Sequence, residues 1–158
     1  MNNRKDNDPI EHFRAISRQY SDTSILMHEA IARKAGLSGT DHKYLGMIIQ
    51  RGEMTAGELS KKTGLTTGAV TGLIDRLEKK NLAKRQLDKK DRRKVVIVPD
   101  TQNTMNLLEP LFANLQEKTA KLIASFSDKE IQTIETYFLS AISIMNETTE
   151  ETNNKLIR

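Results

Sequence analysis

The fold is decided by residues 55–98, which read TAGELSKKTGLTTGAVTGLIDRLEKKNLAKRQLDKKDRRKVVIV. This stretch predicts a short helix, a tight turn, a second helix and then a two-stranded hairpin with a very basic tip. Thr55 and Glu58 have the spacing of a capping box, in which the Thr hydroxyl accepts from the Glu backbone N–H and the carboxylate reaches back. Gly64 suits the left-handed position just past a helix end. Thr66 then suits the N-cap of the second helix.

The second helix has one apolar and one polar face. Apolar residues recur at steps of three and four, at Val70, Leu73, Ile74 and Leu77. The opposite face carries Thr67, Gly68, Thr71, Gly72, Asp75, Arg76 and Lys79. Glycine and threonine are poor helix formers, but together they give a face of low bulk with short hydrogen-bonding groups. Close approach to the edge of a base pair requires such a face.

The predicted hairpin, with strands 82–87 and 94–98, concentrates positive charge. From Arg76 to Lys94 there are ten Lys or Arg against three Asp or Glu, a net charge of +7. The whole chain carries +4, so all the other residues together carry −3. Positive charge gathered on one helix end and one hairpin indicates contact with phosphate.

Long amphipathic helices flank this basic unit. We expect the first to begin at Asp8 and run to about Ala35, the next to be capped by Asp100 or Thr101, and the last to begin at Ser127. These helices have no obvious large partner within one chain. We therefore expect them to pack against a second copy, with an intramolecular three-helix cluster as the alternative.

The composition excludes several classes of protein. The chain has no cysteine, which excludes disulfides and a thiol switch. It has no apolar run of roughly 18 residues, as a membrane-spanning helix needs, and its N-terminus lacks an apolar signal region, so we expect a cytoplasmic protein with no membrane partner. Its three histidines, His12, His28 and His42, are far apart in sequence. Solvated or hydrogen-bonded histidines are favoured over a metal site, so we expect no metal and no cofactor.

The arrangements that an enzyme would need are missing from the sequence. There is no Gly-rich phosphate loop after a strand, no His-x-x-x-His pair and no strand–turn–helix that would frame a nucleophile. The acidic residues Asp88 and Asp91 lie among basic ones, which favours ion pairing over acid–base chemistry. We expect the protein not to be an enzyme.

A set of short motifs extends over residues 10–148. They are Leu37-Ser38-Gly39-Thr40-Asp41 before a helix, Glu58-Leu59, Gly64-Leu65, Val70-Thr71, Ile74-Asp75-Arg76-Leu77-Glu78 and Asp88-x-x-Asp91-Arg92-Arg93. Together they resemble the MarR family of winged-helix transcription regulators. The family's Leu-Thr-x-x-Gly sequence after the second wing strand is replaced here by VPDTQNT.

The resemblance implies a mostly α fold with a small β-hairpin wing, a winged helix–turn–helix flanked by N- and C-terminal dimerisation helices. The expected division is an N-terminal dimerisation helix (1–36), a winged helix–turn–helix (37–99), C-terminal dimerisation helices (100–148) and a polar tail (149–158). Its function would be sequence-specific binding of double-stranded DNA as a homodimer. The alternative is a winged helix used as a protein-interaction module, which the lysine-rich tip argues against because protein interfaces deplete lysine.

In this reading the second helix enters a major groove. The hairpin tip reaches the adjacent minor groove, where an arginine senses groove width. We expect Asp91 to pair with Arg93 and stiffen the wing, which leaves Arg92 the freer side chain, and we expect Arg76 to contact phosphate rather than guanine. The candidate DNA-binding residues are Thr55, Thr66, Thr67, Gly68, Thr71, Gly72, Arg76, Lys79, Lys89, Lys90, Arg92 and Arg93.

The resemblance also implies regulation by a small molecule. Relatives are commonly repressors that an aromatic acid or another amphipathic compound releases from DNA, and the compound binds between the dimer helices and the DNA-binding unit. The corresponding residues here are Phe13, Ile16, Tyr20, Tyr44, Met47 and Ile48. The alternative for these six residues is ordinary core packing, since apolar residues at helical spacing usually form a core.

Overall fold

The structure is a computed structural model that describes residues 8–155. The protein is mostly helical, as the sequence predicts. The helices are α1 (Pro9–Lys34), α2 (Gly39–Arg51), α3 (Ala56–Thr63), α4 (Thr67–Lys79), α5 (Thr101–Ile123) and α6 (Asp128–Lys155). The strands are β1 (Met54–Thr55), β2 (Ala83–Leu87) and β3 (Val95–Pro99). These elements form two compact units, Met1–Phe112 and Ala113–Arg158, and α5 begins in the first unit and ends in the second.

Helices α1 and α2 begin at the caps that the sequence predicts. The Asp8 carboxylate accepts a hydrogen bond from the backbone N–H of Ile10 at 3.0 Å, and Pro9 occupies the first turn. Gly36 has a φ of +70°, which turns the chain just after α1. The Ser38 hydroxyl then accepts from the Asp41 N–H at 3.0 Å and starts α2. This cap places Asp41 in the first turn of α2.

The helix–turn–helix formed by α3 and α4 also follows local sequence signals. Glu58 accepts from the Thr55 N–H at 2.7 Å and donates its own N–H to the Thr55 hydroxyl at 3.1 Å, so the predicted capping box is confirmed. Gly64 ends α3 in the left-handed conformation, with a φ of +72°. The Thr66 hydroxyl caps α4 by accepting from the N–H of Ala69 at 3.3 Å.

The sheet has three strands rather than the two that the sequence predicts. Its order is β1-β3-β2, and both pairings are antiparallel. Strands β2 and β3 form the wing hairpin, with Leu87 opposite Val95 at its outer end. Met54 and Thr55 pair with Ile97 and Val96 on the other side of β3. Because β1 has only two residues, it is too short for the alternation that would reveal a strand in the sequence.

The first unit is organised around one aliphatic core. Helix α4 contributes the four residues that the sequence places on its apolar face, and each is at most 1% exposed. Full burial of a Leu or Ile side chain stabilises the folded state by about 2 kcal/mol. The buried cluster comprises Ala32, Leu37, Leu45, Ile48, Met54, Leu59, Val70, Leu73, Ile74, Leu77, Leu82, Ala83 and Ile97. Helices α1 to α3 and the sheet therefore hold α4 in a fixed orientation.

Helix α5 begins where the chain leaves the sheet. Asp100 caps it by accepting from the N–H of Asn103 at 2.9 Å. The buried hydroxyl of Thr104 donates to the Asp100 carbonyl at 2.8 Å, and the Asp100 N–H donates to the Leu82 carbonyl at 2.8 Å. The helix continues through Pro110 to Ile123.

Helix α6 opens with the predicted capping box. The Ser127 N–H donates to the Glu130 carboxylate at 2.8 Å. The apolar stripe of α6 is largely exposed, including Ile134, Phe138, Ile142 and Met145. Within residues 8–155, none of the helices combines the length and apolar character that crossing a bilayer demands.

Candidate nucleic-acid interface

Helix α4 presents a slim exposed face opposite the core. Thr67, Gly68 and Thr71 are exposed, Gly72 is half-buried and Lys79 is exposed at the C-terminal end. The Thr71 hydroxyl donates to the Thr67 carbonyl at 3.0 Å, which leaves its oxygen lone pairs as acceptors. Since no bulky side chain stands between Gly68 and Gly72, another molecule can approach the backbone of this part of the helix closely.

Arg76 lies on one flank of this face and forms a two-point ion pair with Asp41 of α2. Its Nε lies 3.2 and 3.0 Å from the two carboxylate oxygens of Asp41, and its Nη2 lies 2.7 Å from Oδ1. The Asp41 side chain is 5% exposed, whereas that of Arg76 is 53% exposed. A buried carboxylate is costly unless a partner compensates it. The hydrogen bond to Asp41 raises the pKa of Arg76 against the opposing effect of desolvation.

Arg85 of strand β2 lies on the other flank of α4. Its backbone N–H donates to Glu78 Oε1 at 2.6 Å, and its guanidinium pairs with the carboxylates of Glu78 and Asp75, the latter at 2.7 Å. Burial opposes the charged form of Arg85, but the bond to Asp75 and the charge of Glu78 outweigh it and raise its pKa. These contacts attach the wing to α4 and neutralise two carboxylates that stand beside the exposed face.

The tip of the wing is held by two aspartates. The Asp88 carboxylate accepts from the N–H groups of Lys90 at 2.6 Å and Asp91 at 3.1 Å. Asp91 Oδ1 accepts from Arg93 Nε at 3.1 Å and from the Arg93 N–H at 3.2 Å, so the predicted pair forms. The Arg93 side-chain bond, then its backbone bond, hold the pKa of Asp91 below its usual value. The backbone N–H groups of Lys90 and Asp91 do the same for Asp88.

The remaining basic residues of the tip are exposed to solvent. In the described part of the chain, no ion pair holds the side chains of Lys89, Lys90 or Arg92. Leu87 and Val95, which face each other at the outer end of the hairpin, are also exposed. The tip therefore combines an internally bonded backbone with unneutralised cations, which suits contact with a polyanion.

Thr55 and Thr66, both candidate DNA contacts, serve as helix caps. The Thr55 hydroxyl accepts from the Glu58 N–H and donates to the Glu58 carboxylate at 2.9 Å. The Glu58 pKa is lowered, first by the Thr55 backbone N–H and then by the hydroxyl. Thr55 is half-buried and Thr66 is exposed. A polar contact from either residue to a phosphate would have to coexist with its cap.

The structure brings two of the three histidines together. The rings of His28 and His42 lie 5.5 Å apart, and the His42 ring stacks on Phe112 at 6.0 Å. Burial, and secondly the charge of His28, lowers the pKa of His42. Among the residues that the structure describes, no group of three or more His, Cys, Asp or Glu is placed to hold a metal ion.

The six candidate effector residues do not share one environment. Phe13, Ile16 and Tyr20 are exposed on α1. On α2, Tyr44 and Met47 are half-buried, and Ile48 is fully buried in the core. The set therefore divides into an exposed stripe of α1 and a largely packed face of α2.

Sequence reasoning missed the roles of Asp41 and Arg85. The sequence pointed to Asp41 only as part of the motif that precedes a helix, and to Arg85 only as positive charge. A signal for Arg85 was present in Asp75 and Glu78, two carboxylates three residues apart on α4 and shortly before a basic strand. For Asp41 there was no local signal, because its partner lies 35 residues away.

A helix–turn–helix followed by a basic wing defines a winged-helix DNA-binding protein. The sequence model of the MarR family matches residues 35–94. The chain is 42% identical to the HTH-type transcriptional regulator YcgE of Bacillus subtilis over 135 residues, 85% of this chain and 87% of that protein. It is 28% identical to MhqR of the same organism over 123 residues, 78% and 83% of the two chains.

Solved structures share the fold. A MarR family protein from Bacillus stearothermophilus has a TM-score of 0.69 and 24% identity, with 92% of this chain and 99% of that chain covered. A MepR variant from S. aureus, bound to an oligodeoxyribonucleotide, has a TM-score of 0.54 and 20% identity, with 89% and 99% covered. The chain belongs to the MarR family. It is a transcriptional regulator and not an enzyme.

Proposed function

We propose that the protein is a ligand-responsive repressor that binds a pseudo-palindromic operator as a homodimer. The observation that carries this proposal is the joining of the slim α4 face and the basic wing through Arg85, which bonds Glu78 and Asp75. In this proposal, α4 enters a major groove with its N-terminal half toward the bases, and the wing tip reaches the neighbouring minor groove.

The proposed contacts divide into two kinds. Thr66, Thr67, Gly68, Thr71 and Gly72 approach the base edges in the major groove, where donor and acceptor patterns differ between base pairs. The basic residues and Thr55 contact the sugar–phosphate backbone or the minor groove and supply most of the affinity. This second group comprises Arg76, Lys79, Lys89, Lys90, Arg92 and Arg93, while Asp91 keeps the wing in shape.

Homodimerisation is supported by the exposed apolar residues of the flanking helices. Helix α6 exposes Ile142 and Met145, and α1 exposes Ile10 and Ile16. Large apolar side chains exposed along a helix favour an interface with another chain over contact with water. In this proposal, residues 1–36 and 100–148 form the dimer and residues 37–99 bind DNA.

The proposed effector is an aromatic acid or a similar amphipathic molecule. It would bind beside the exposed stripe of α1, at Phe13, Ile16 and Tyr20, with Tyr44 and Met47 of α2 opposite. Ile48 is fully buried, so it would form only the wall of such a site. The effector need only favour a dimer geometry in which the two α4 helices no longer match the groove spacing.

Selection from a pool of random duplexes tests the DNA-binding proposal. The enriched sequences should contain two inverted half-sites about 34 Å apart, one helical turn. Binding should weaken steeply with added salt, as expected when phosphate contacts displace counterions. A chain that enriches no sequence and binds random duplex without salt dependence would instead be a winged-helix protein-interaction module.

Light scattering at micromolar concentration tests the dimer. The wild-type chain should have the mass of two copies, and Ile142→Glu with Met145→Glu should shift it to one copy. Gln132→Glu adds a charge to an exposed polar position of the same helix and serves as the control. A wild-type monomer contradicts the proposal.

Displacement from the selected duplex tests the effector. A panel of aromatic acids should contain compounds that release the protein, and Tyr44→Ala should reduce the response without weakening DNA binding in their absence. Release by none of the compounds, or an unchanged response in Tyr44→Ala, would contradict the site.

A further inference from the structure

We propose that Asp41 is a positioning residue for DNA binding, which holds Arg76 so that the open edge of its guanidinium meets a DNA phosphate. Asp41 is buried in the first turn of α2, and its carboxylate forms a two-point ion pair with this arginine of α4. The inference rests on the proposed DNA-binding function and adds a residue that itself has no access to DNA.

The geometry of the ion pair leaves part of the guanidinium available. Asp41 takes the edge formed by Nε and Nη2, with contacts from 2.7 to 3.2 Å. Guanidinium carries five N–H donors in a fixed plane, so the donors of Nη1 and one of Nη2 point away from the carboxylate. A Cβ added to Gly72 would lie 3.4 Å from Nη1 of Arg76, which places that nitrogen beside the slim face of α4.

Comparison with Arg85 shows that this open edge is specific to Arg76. Arg85 uses both Nη1 and Nη2 on acceptors of α4, and its side chain is 33% exposed. Arg76 uses Nε and Nη2 on a single carboxylate, and its side chain is 53% exposed. Arg76 and Glu78 are two residues apart on a helix, so the two ion pairs lie on different sides of α4. The guanidinium of Arg85 therefore serves to bind the wing to α4, whereas that of Arg76 retains N–H donors that can bind a phosphate.

Holding Arg76 matters because a long side chain loses rotamer freedom when it binds. Asp41 is itself fixed by burial and by the Ser38 cap, whose hydroxyl accepts from the Asp41 N–H at 3.0 Å. The conformational entropy of the Arg76 side chain is thus lost during folding rather than during DNA binding. A side chain that is ordered in advance raises affinity in this way, which is called preorganisation. A planar guanidinium with a free edge matches the oxygens of a phosphate.

If Asp41 positions Arg76, its replacement should weaken DNA binding, whereas net charge alone predicts that its replacement should strengthen binding. Removal of a negative charge near a polyanion should strengthen binding, whichever carboxylate is removed. Asp75 is the matched control, because it also stands on this surface and its partner Arg85 keeps the Glu78 carboxylate. Asp75→Asn should bind DNA as tightly as the wild type or more tightly, whereas Asp41→Asn should bind about tenfold more weakly, which at 1.4 kcal/mol per factor of ten is about 1.4 kcal/mol.

The decisive experiment is a double-mutant cycle on the duplex that the random pool enriches most. Dissociation constants are measured for the wild type, Asp41→Asn, Arg76→Ala and the double variant, with far-UV circular dichroism to confirm helix content. Asp41→Asn should weaken binding only when Arg76 is present. The slope of log affinity against log salt should fall by about one in Arg76→Ala and remain unchanged in Asp41→Asn, which retains the arginine.

A second variant covers the case in which Asp41→Asn does not fold. Arg76→Lys keeps the charge but cannot bind a carboxylate and a phosphate through two edges, so its affinity should fall while its salt slope is kept. The inference is overturned if either Asp41→Asn or Arg76→Lys binds DNA with wild-type affinity. It is also overturned if Asp41→Asn weakens binding as much in the Arg76→Ala background as it does in the wild type. If the wild-type chain enriches no duplex, the proposed function fails as well.

Discussion

Arg85 of the first wing strand binds Glu78 of helix α4 twice, through its backbone N–H at 2.6 Å and through its guanidinium. A strand residue thereby sets the position of the wing against the helix proposed to read DNA. The same guanidinium reaches Asp75, one turn earlier on α4. Arg85 therefore reinforces, through its side chain and its backbone, the position that the shared core gives the wing against α4.

Replacement of Arg85 by alanine should loosen the wing. We expect Arg85→Ala to destabilise the protein by roughly 1 kcal/mol, since the pairs are partly exposed, which corresponds to a fall in Tm of about 3 °C for a chain of this length. Affinity for the selected duplex should fall roughly tenfold, because two carboxylates are left unneutralised near phosphate. Thermal melts and fluorescence anisotropy measure the two effects.

Lys84→Ala is the control for Arg85→Ala. Lys84 is an exposed neighbour on the same strand, and its removal takes away the same charge without touching α4. Equal effects of the two substitutions on Tm would show that the Arg85 contacts do not hold the wing.

The exposed cations of the wing tip should contribute affinity without contributing to the fold. We expect the double variant Lys90→Ala, Arg92→Ala to bind DNA at least about tenfold more weakly and to keep its helix content. Each lost phosphate contact should lower the salt slope by roughly one. Unchanged affinity in anisotropy titrations would show that the tip does not touch DNA.

Acid should loosen the tip of the wing. The pKa of Asp91 is lowered from 3.8 by the Arg93 side chain and backbone. A lowered pKa means that the pair stabilises the hairpin fully above pH 3.8 and that this contribution is lost as the pH falls through the folded-state value. The amide chemical shift of Arg93, whose N–H donates to Asp91, should move in that range. Asp91→Asn should abolish the Arg93 transition, and its persistence would contradict the assignment.

His42 should make the stability of the first unit depend on pH near neutrality. Its pKa is lowered from 6.5 by burial and by His28, so the unfolded chain takes up a proton more readily than the folded one. The contribution of neutral His42 to the free energy of unfolding should therefore be fully present above pH 6.5. It should decrease as the pH falls below 6.5 toward the folded-state pKa. Thermal melts on either side of pH 6.5 measure the difference.

His42→Gln should flatten this dependence, because glutamine does not titrate. The imidazole signals of His42 in a proton NMR titration should show a midpoint below 6.5. A midpoint at or above that value would contradict the prediction.

The sequence predicted those parts of the fold that local chemistry determines. Capping at Thr55, Thr66 and Ser127 depends on residues three positions away, so spacing alone reveals it. The apolar face of α4 is equally local, and the structure buries each member. Strand bounds were within one residue at each end, because β-branched residues and a charged turn mark them.

The remaining features depend on contacts that no local pattern records. Strand β1 exists because β3 offers Met54 and Thr55 a partner. The sequence predicts a phosphate contact for Arg76 because the residue lies about two turns from the start of α4, while its bond to Asp41 depends on how α2 packs against α4. The position of a residue on a helix face was therefore predictable, but the side-chain partner across the core was not.

Strand β1 has a practical consequence for dissecting the protein. Because β3 lies between β1 and β2, a fragment that starts at Ala56 would turn β3 into an open sheet border with unsatisfied backbone groups along Val96 and Ile97. Such borders recruit strands from other chains and lead to aggregation. A minimal wing-bearing fragment that stays in solution should therefore begin before Met54, even though every proposed DNA contact lies after it.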